Sequence, residues 1–383
     1  MGIKDLYSVI SKHAPEGIGR VPITHYRGKK IAIDGHNWMY ANMFGARKIS
    51  ASKTNFAVDK VDNTLTRKEW VNLCLKFIIK WLNFGVIPVF VFDGTDKPEK
   101  GETQKERSES NKKKRKAFEE KINQMNELDV LDRTVEMINE VQEDFAKFID
   151  LTGGEIDNLI NILDTCGLPW YQAKGESEQL CSMLALEGKV EAVYSKDGDN
   201  MVLGCPILLK AYSAEMYENG QSIPTLEFYE LAVILNKLEL SMEEFVDFCL
   251  ILGCDFNKRP TGWGPVTALK LIRKHRSVKK IAEATGRDIT CMNYEMSLAN
   301  FKRVDSDSLI IRGRFDLSEP DIFTIRDILE ANDVSTLTKG LCGSMAECYG
   351  ILEQEHELAQ KAAESSKPKT RKIKLVRVKK NKD

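Results

Sequence analysis

Two short apolar runs that each end in Asp-Gly constrain the fold of this chain more than any other feature. The first, KKIAIDG, closes on Asp34, and the second, VIPVFVFDG, closes on Asp93. Neither alternates apolar with polar residues, so each reads as a strand covered on both faces, the condition met inside a parallel sheet flanked by helices. Two further short runs, EAVYS and PILLKAY, follow, with helical segments between them. Strands alternating with helices predict an α/β fold built on a doubly wound, mostly parallel sheet. In such sheets ligands gather in the crevice beyond the carboxyl ends of the strands, and Asp34, Asp93 and the SKDGD run all fall there.

At 383 residues, 42% of them apolar, the chain can bury a large core. No stretch of about 18 uninterrupted apolar residues occurs, and the opening MGIKDLYSVI lacks a basic-then-apolar signal, which argues against secretion and membrane insertion. The nine cysteines stand singly with no CxxC pair, so neither a zinc site nor a thioredoxin-like motif is visible and a reducing compartment fits. Charge is less ordinary. From Lys367 to Lys382 there are nine Lys or Arg against the single acid Asp383, so the tail carries +8 and the rest of a chain of net charge -1 carries −9. An acidic body suits a phosphate binder when the acids hold cations.

Ile3, Leu6, Tyr7 and Ile10 recur at helical spacing, and another helix is expected from Arg67 to Asn83. From Gly101 to Phe148 the chain is rich in Lys, Glu, Gln and Asn and too poor in apolar residues for an ordinary core helix. That stretch should be exposed, either as an arch of helices above the sheet or as a segment ordered by a ligand. Ser241 to Lys274 reads as a helix, the glycine turn TGWGP and a second helix started by Pro265. Beyond Glu353 a polar connector and the basic tail KPKTRKIKLVRVKK are expected, and no internal repeat occurs. The chain thus divides into 1–100, 101–150, 151–350 with the helix-turn-helix at 241–275, and 351–383.

The acids that follow strands or open helices are Asp34, Asp93, Glu176, Glu178, Asp197, Asp199 and Asp255. Seven converging carboxylates repel one another unless cations neutralise them. Mg²⁺ takes oxygen ligands and keeps several waters, so some acids would bind directly and others through water. Two such ions about 4 Å apart can grip a phosphodiester, activate the attacking water and stabilise the leaving oxygen. Glu176 and Glu178 fall in the first turn of a helix, where the dipole favours negative charge. Gly198, between Asp197 and Asp199, permits a tight turn presenting both carboxylates in one direction. Either pair alone would more often be a helix cap or a solvated turn.

These residues resemble the flap endonuclease family, the eukaryotic-type structure-specific 5′ nucleases, along nearly the whole chain. The likeness runs from MGIKDL through IAIDG, VFVFDG, GESEQ and SKDGD to LGCD, matching all seven of that family's metal-site acids in order. It implies a PIN-like nuclease core with a helical arch and a helix-two-turn-helix, and two Mg²⁺ per site with Mn²⁺ able to substitute. It implies that removal of the initiator methionine leaves Gly2 near the active site, and that Lys100 and Arg107 are the catalytic basic pair contacting the scissile phosphate. It further implies that the GWGP turn, with Gly262 and Gly264, binds duplex backbone through amides and a bound K⁺, joined by Arg47 and Lys270 as DNA contacts. A seven-residue spacing does put Lys100 and Arg107 on one helix face, and glycines do let backbone approach phosphate. The NKKKRK run, Lys112 to Lys116, is expected to track a single strand, and His36 to be structural.

The chain departs from the family pattern in two places, as a divergent, for instance viral, member would. Val266 and Thr267 stand where basic residues are usual, which shifts the duplex grip to Lys270, Arg273 and Lys274. No glutamine-and-aromatic sliding-clamp motif is recognisable near the C-terminus, which puts clamp binding in doubt. The basic tail reads as nonspecific phosphate affinity, a nuclear import signal or, equally, an inert solubilising segment. The expectation is a monomeric, Mg²⁺-dependent 5′ flap endonuclease of replication, repair or recombination. It would act on branched or flapped DNA in the nucleus, with the cytoplasm open and no membrane partner, and read junction shape rather than base sequence. A 5′ to 3′ exonuclease or junction resolvase would share the acids, while the 83-residue step from Asp93 to Glu176 argues against the excision-repair branch with its long insert. A noncatalytic DNA-binding scaffold would have no need for the repulsion, and an aspartyl-nucleophile phosphatase would leave GWGP and the other acids unexplained.

Overall fold

The computed structural model describes residues 2–59, 61, 63–96, 101–149, 151–218 and 221–366, with backbone only at 101–105, 107, 212–218, 221 and 355–366. Among the described residues eight strands make one sheet: β1 (Ile18–Pro22), β2 (Lys30–Asp34), β3 (Ile87–Phe92), β4 (Trp170–Ala173), β5 (Ala192–Tyr194), β6 (Ile207–Glu218), β7 (Gln221–Glu230) and β8 (Ile310–Arg314). Their order is β1-β7-β6-β5-β2-β3-β4-β8. The five central strands, β6 to β4, are parallel neighbours. Antiparallel strands close both edges, β7 and β1 on one side and β8 on the other. The doubly wound, mostly parallel sheet expected from the apolar runs is therefore the architecture observed.

Fifteen helices are described: α1 (Leu6–His13), α2 (Gly35–Lys53), α3 (Thr64–Asn83), α4 (Gly101–Asn126), α5 (Val135–Phe145), α6 (Gly153–Thr165), α7 (Ser177–Leu186), α8 (Asp199–Val202), α9 (Leu231–Leu238), α10 (Met242–Leu252), α11 (Pro265–His275), α12 (Val278–Thr285), α13 (Tyr294–Ala299), α14 (Ile322–Ala331) and α15 (Thr338–Ser366). Side chains of a strand alternate between faces, and the two cores follow that alternation. Ala32, Val89 and Val91 pack with Leu6, Leu180, Phe245 and Trp263 from α1, α7, α10 and the turn before α11. Ile31, Ile33, Phe90 and Phe92 pack with Trp38, Trp70, Leu163 and Leu329 from α2, α3, α6 and α14. Seven of the nine cysteines are buried in these layers, acting as small apolar groups. No helix among the described residues is long and apolar enough to cross a membrane.

The polar stretch after β3 is helical, as α4 and α5, and closes its own small core. Phe118, Met125, Val141, Phe145 and Phe148 meet Phe56 and Ala51 there. Phe145 lies 5.4 Å from Phe118 and 5.5 Å from Phe56, ring centre to ring centre. Truncating it to Ala should cost about 3–5 kcal/mol, felt first in α4 and α5. Amide hydrogen exchange that quickens in those helices ahead of the sheet is the expected outcome; uniform quickening along the chain would contradict it. The polar connector expected beyond Glu353 is instead the last part of α15, helical to Ser366. Its start is anchored by Leu341, Met345 and Cys348 in the second core, and a helix once nucleated propagates with one backbone hydrogen bond per added residue. The basic tail from Lys367 lies outside the described residues.

Candidate active site

The carboxyl ends of β2, β3 and β5 converge on two serines. Asp34 ends β2 and caps α2, its Oδ1 accepting from the Asn37 amide at 3.2 Å. The Ser177 hydroxyl donates to the same oxygen at 3.0 Å, and the Ser195 hydroxyl donates to Oδ2 at 2.7 Å. Ser177 opens α7 between the N-cap Glu176 and Glu178, and its amide donates to Asp93 Oδ1 at 2.8 Å. One serine thus joins the acids at the ends of two neighbouring strands and sets both glutamates beside them. Ser195 follows β5 and accepts from the Asp197 amide at 3.0 Å, tying the SKDGD turn to Asp34. Glu176, Glu178 and Asp199 line one small cavity together with Asp96, Gln179, Asn300 and Phe301.

The N-terminal segment lies across this acid cluster. Gly2 has φ +47, and a Cβ there would stand 1.7 Å from Asp197 Oδ1 and 2.9 Å from Asp199 Oδ1, so only glycine fits. Both aspartates therefore face one way, as the DGD spacing predicted, although the turn itself is different. Gly198 is right-handed, at φ −76, and its missing Cβ serves close packing, since it would come within 3.2 Å of Leu6 Cδ2. The Lys4 amide donates to the Gly253 carbonyl at 3.0 Å and Asp5 pairs with Arg259 at 2.6 Å, which brings in the loop that carries Asp255. Burial pushes the Cys254 thiol up to about 12, and the nearby Asp199 and Asp255 carboxylates add to the effect.

Burial also pushes Asp34 up to about 6, and the Asp93 charge reinforces this against the opposing serine hydrogen bonds. Its folded value lies above the ordinary carboxylate range, so the native state holds a proton that the unfolded chain gives up. Stability of the metal-free protein is expected to fall as pH rises from about 4 to about 6, by about 3 kcal/mol from this group. Melting scans across that range check it, with Asp34→Asn removing the slope; stability rising over the same window would contradict it.

Among the described residues, no group of three or more His, Cys, Asp and Glu is arranged to hold a metal ion as it stands. The oxygens of Asp34 and Asp93 are engaged by hydroxyl and amide donors. The donor set nevertheless suits a hard divalent cation: it is all carboxylate oxygen, and the buried Asp34 resists ionising without added positive charge. His36 accepts from the Asp93 amide through Nδ1 at 3.3 Å, consistent with the structural role expected of it.

Other site residues divide. Gly262, at φ +81, and Gly264, the N-cap of α11, flank the buried Trp263, and Lys270 is exposed on α11. Lys100 lies outside the described residues, and Arg107 falls in α4, where only its backbone is described. Arg47 is not presented to DNA. It is 1% exposed, its Nε donates to the Phe145 carbonyl at 2.9 Å, and its guanidinium stacks on Phe148 and Phe145 at 3.7 and 4.2 Å. It anchors the segment at the end of α5 instead. Arg273 is likewise engaged, donating to the Leu238 and Lys237 carbonyls at the end of α9. In the NKKKRK run, Arg115 and Lys116 pair with Glu119 and Glu120 one turn on, and Lys112, Lys113 and Lys114 are exposed. Sequence reasoning missed Ser177, Ser195 and Asp96. The signal available was a serine directly beside an acid in GESEQ and beside the SKDGD turn.

Carboxylates gathered at the ends of parallel strands, with Glu176, Glu178 and Asp199 lining one cavity, suit the class of carboxylate-based, cation-assisted hydrolases. Two family models match the chain, the XPG N-terminal domain over residues 1–114 and the XPG I-region over residues 167–255. Flap endonuclease 1 of Saccharomyces cerevisiae is 30% identical over 283 residues, covering 74% of this chain and 68% of that protein. Flap endonuclease 1 of Glycine max is 30% identical over 329 residues, covering 84% and 80%. In fold, the chain resembles the flap endonuclease-1 structure from Methanococcus jannaschii, with a TM-score of 0.58 at 22% identity over 88% of this chain and 97% of that one. The chain belongs to the flap endonuclease family. Use of divalent metal ions goes with that membership.

Proposed function

We propose that this protein is a structure-specific 5′ flap endonuclease that hydrolyses phosphodiesters in branched DNA with Mg²⁺, with Mn²⁺ able to substitute. The observation that carries the reading is the pair of serines that gather Asp34, Asp93 and Asp197, with Glu176 and Glu178 alongside, at the ends of parallel strands. Asp34, Asp93, Glu176, Glu178, Asp197, Asp199 and Asp255 are assigned to hold two ions. When bound, the ions would activate water and offset charge on the phosphate. The remaining roles belong to the chain: Ser177 and Ser195 fix the carboxylates, and Gly2 leaves room for Asp197 and Asp199.

Lys100 and Arg107 are assigned to the scissile phosphate, where two fixed cations favour the developing charge. Gly262, Gly264 and Lys270 are assigned to the duplex backbone, with a K⁺ ion at that turn. The 101–150 region is read as the arch admitting the 5′ strand, and the nucleus as the site of action. Comparing labelled flap, nicked, blunt and four-way substrates in Mg²⁺ tests the reading. Preferential release of the 5′ flap with a 5′-phosphate is expected. Stepwise release of single nucleotides, or preference for the four-way junction, would move the chain elsewhere in the same superfamily.

A further inference from the structure

We infer that Lys302 and Arg303, on the loop after α13, form a phosphate contact at the rim of the acid pocket that grips the DNA strand beside the reactive position. The inference rests on the proposed nuclease function. Both residues are exposed, and the loop that carries them is pinned on each side. Before them, Phe301 is buried edge-on to Phe256 at 5.9 Å, and Asn300 and Phe301 line the cavity shared by Glu176, Glu178 and Asp199. After them, Ser306 is buried, and its amide donates to Glu187 at 2.8 Å.

Within that span each residue is seated against the site. The Lys302 carbonyl accepts from Gln179, next to Glu178, at 3.2 Å. The Arg303 guanidinium lies flat on Gly204, where a Cβ would come within 2.4 Å of Nη2, and Gly204 follows the cavity-lining Leu203. A pocket of carboxylates repels a polyanion, so a strand reaching it needs positive charge at the mouth as well as cations inside. Two neighbouring cations on a fixed loop meet that need.

The test uses the full chain and a fluorescent 5′-flap DNA, with Ca²⁺ as the divalent ion, and measures Kd by anisotropy over a range of salt concentrations. The Lys302→Gln, Arg303→Gln double variant should weaken binding about tenfold and reduce the slope of log Kd against log salt by about 2, the signature of two lost phosphate contacts. Both positions are exposed, so a melting temperature near that of the unaltered chain is expected. An unchanged Kd, or a raised Kd with an unchanged slope, would overturn the inference. Flap cleavage by the unaltered chain in Mg²⁺ is scored separately, so failure of the nuclease reading shows as no cutting while failure of the loop assignment shows only in the variant.

Discussion

Asp197→Asn is expected to lower flap cleavage at least about a thousandfold while leaving flap binding in place, because a lost cation ligand forfeits several kcal/mol of charge stabilisation. The substitution keeps the shape of the side chain, and the amide that Asp197 donates to Ser195 is part of the backbone. Damage should therefore be confined to charge. Single-turnover cutting of a labelled flap in Mg²⁺, with binding followed in parallel, checks it. Cutting within tenfold of the unaltered rate would remove Asp197 from the site.

Gly2→Ala is the second large effect. The added methyl would fall 1.7 Å from Asp197 Oδ1, inside any allowed contact, and φ +47 is itself unfavourable for a residue with a Cβ. Either the N-terminal segment lifts or the Asp197 and Asp199 carboxylates are driven off, and a displacement of about 1 Å in a reacting array costs about a hundredfold in rate. Stability should fall only about 1–2 kcal/mol, the scale of one strained residue. A variant that melts a few degrees lower and cuts normally would contradict the reading; one that cuts poorly while still folded is expected.

Legibility in the sequence followed the physics of burial. β2 and β3 were readable because IAID and IPVFVF are apolar without interruption, which only a strand covered on both faces requires. β8 was not, since IIRGR is an edge strand with mostly exposed side chains and no pattern to betray it. The stretch forming α4 and α5 looked too polar for a core because its apolar residues, Phe118, Met125, Val141 and Phe145, are spread over two helices and completed by Phe56 from elsewhere in the chain. Arg47 read as a surface cation, as arginines usually are, because nothing local announces the two phenylalanine rings a hundred residues later that cover it. Seven candidate acids could be named from their place after strands and at a helix start. How they are held could not be: hydroxyl donors such as Ser177 and Ser195 carry no periodicity, and their partners lie 143 and 161 residues away.

The grouping of acids around Asp34 also implies a tension between stability and function. A carboxyl pushed up to about 6 by burial opposes folding of the metal-free chain at neutral pH, and a bound cation relieves it. Asp34→Asn should accordingly stabilise the metal-free protein near pH 7 while removing activity.

Isothermal titration of the metal-free chain with Mn²⁺ tests the central assignment most directly. Saturable uptake of two ions, reduced in Asp34→Asn and in Asp197→Asn and accompanied by a rise in melting temperature, is the predicted result. Absence of uptake, or uptake indifferent to both substitutions, would mean that these acids do not hold the ions and that the chemistry assigned to this pocket lies elsewhere.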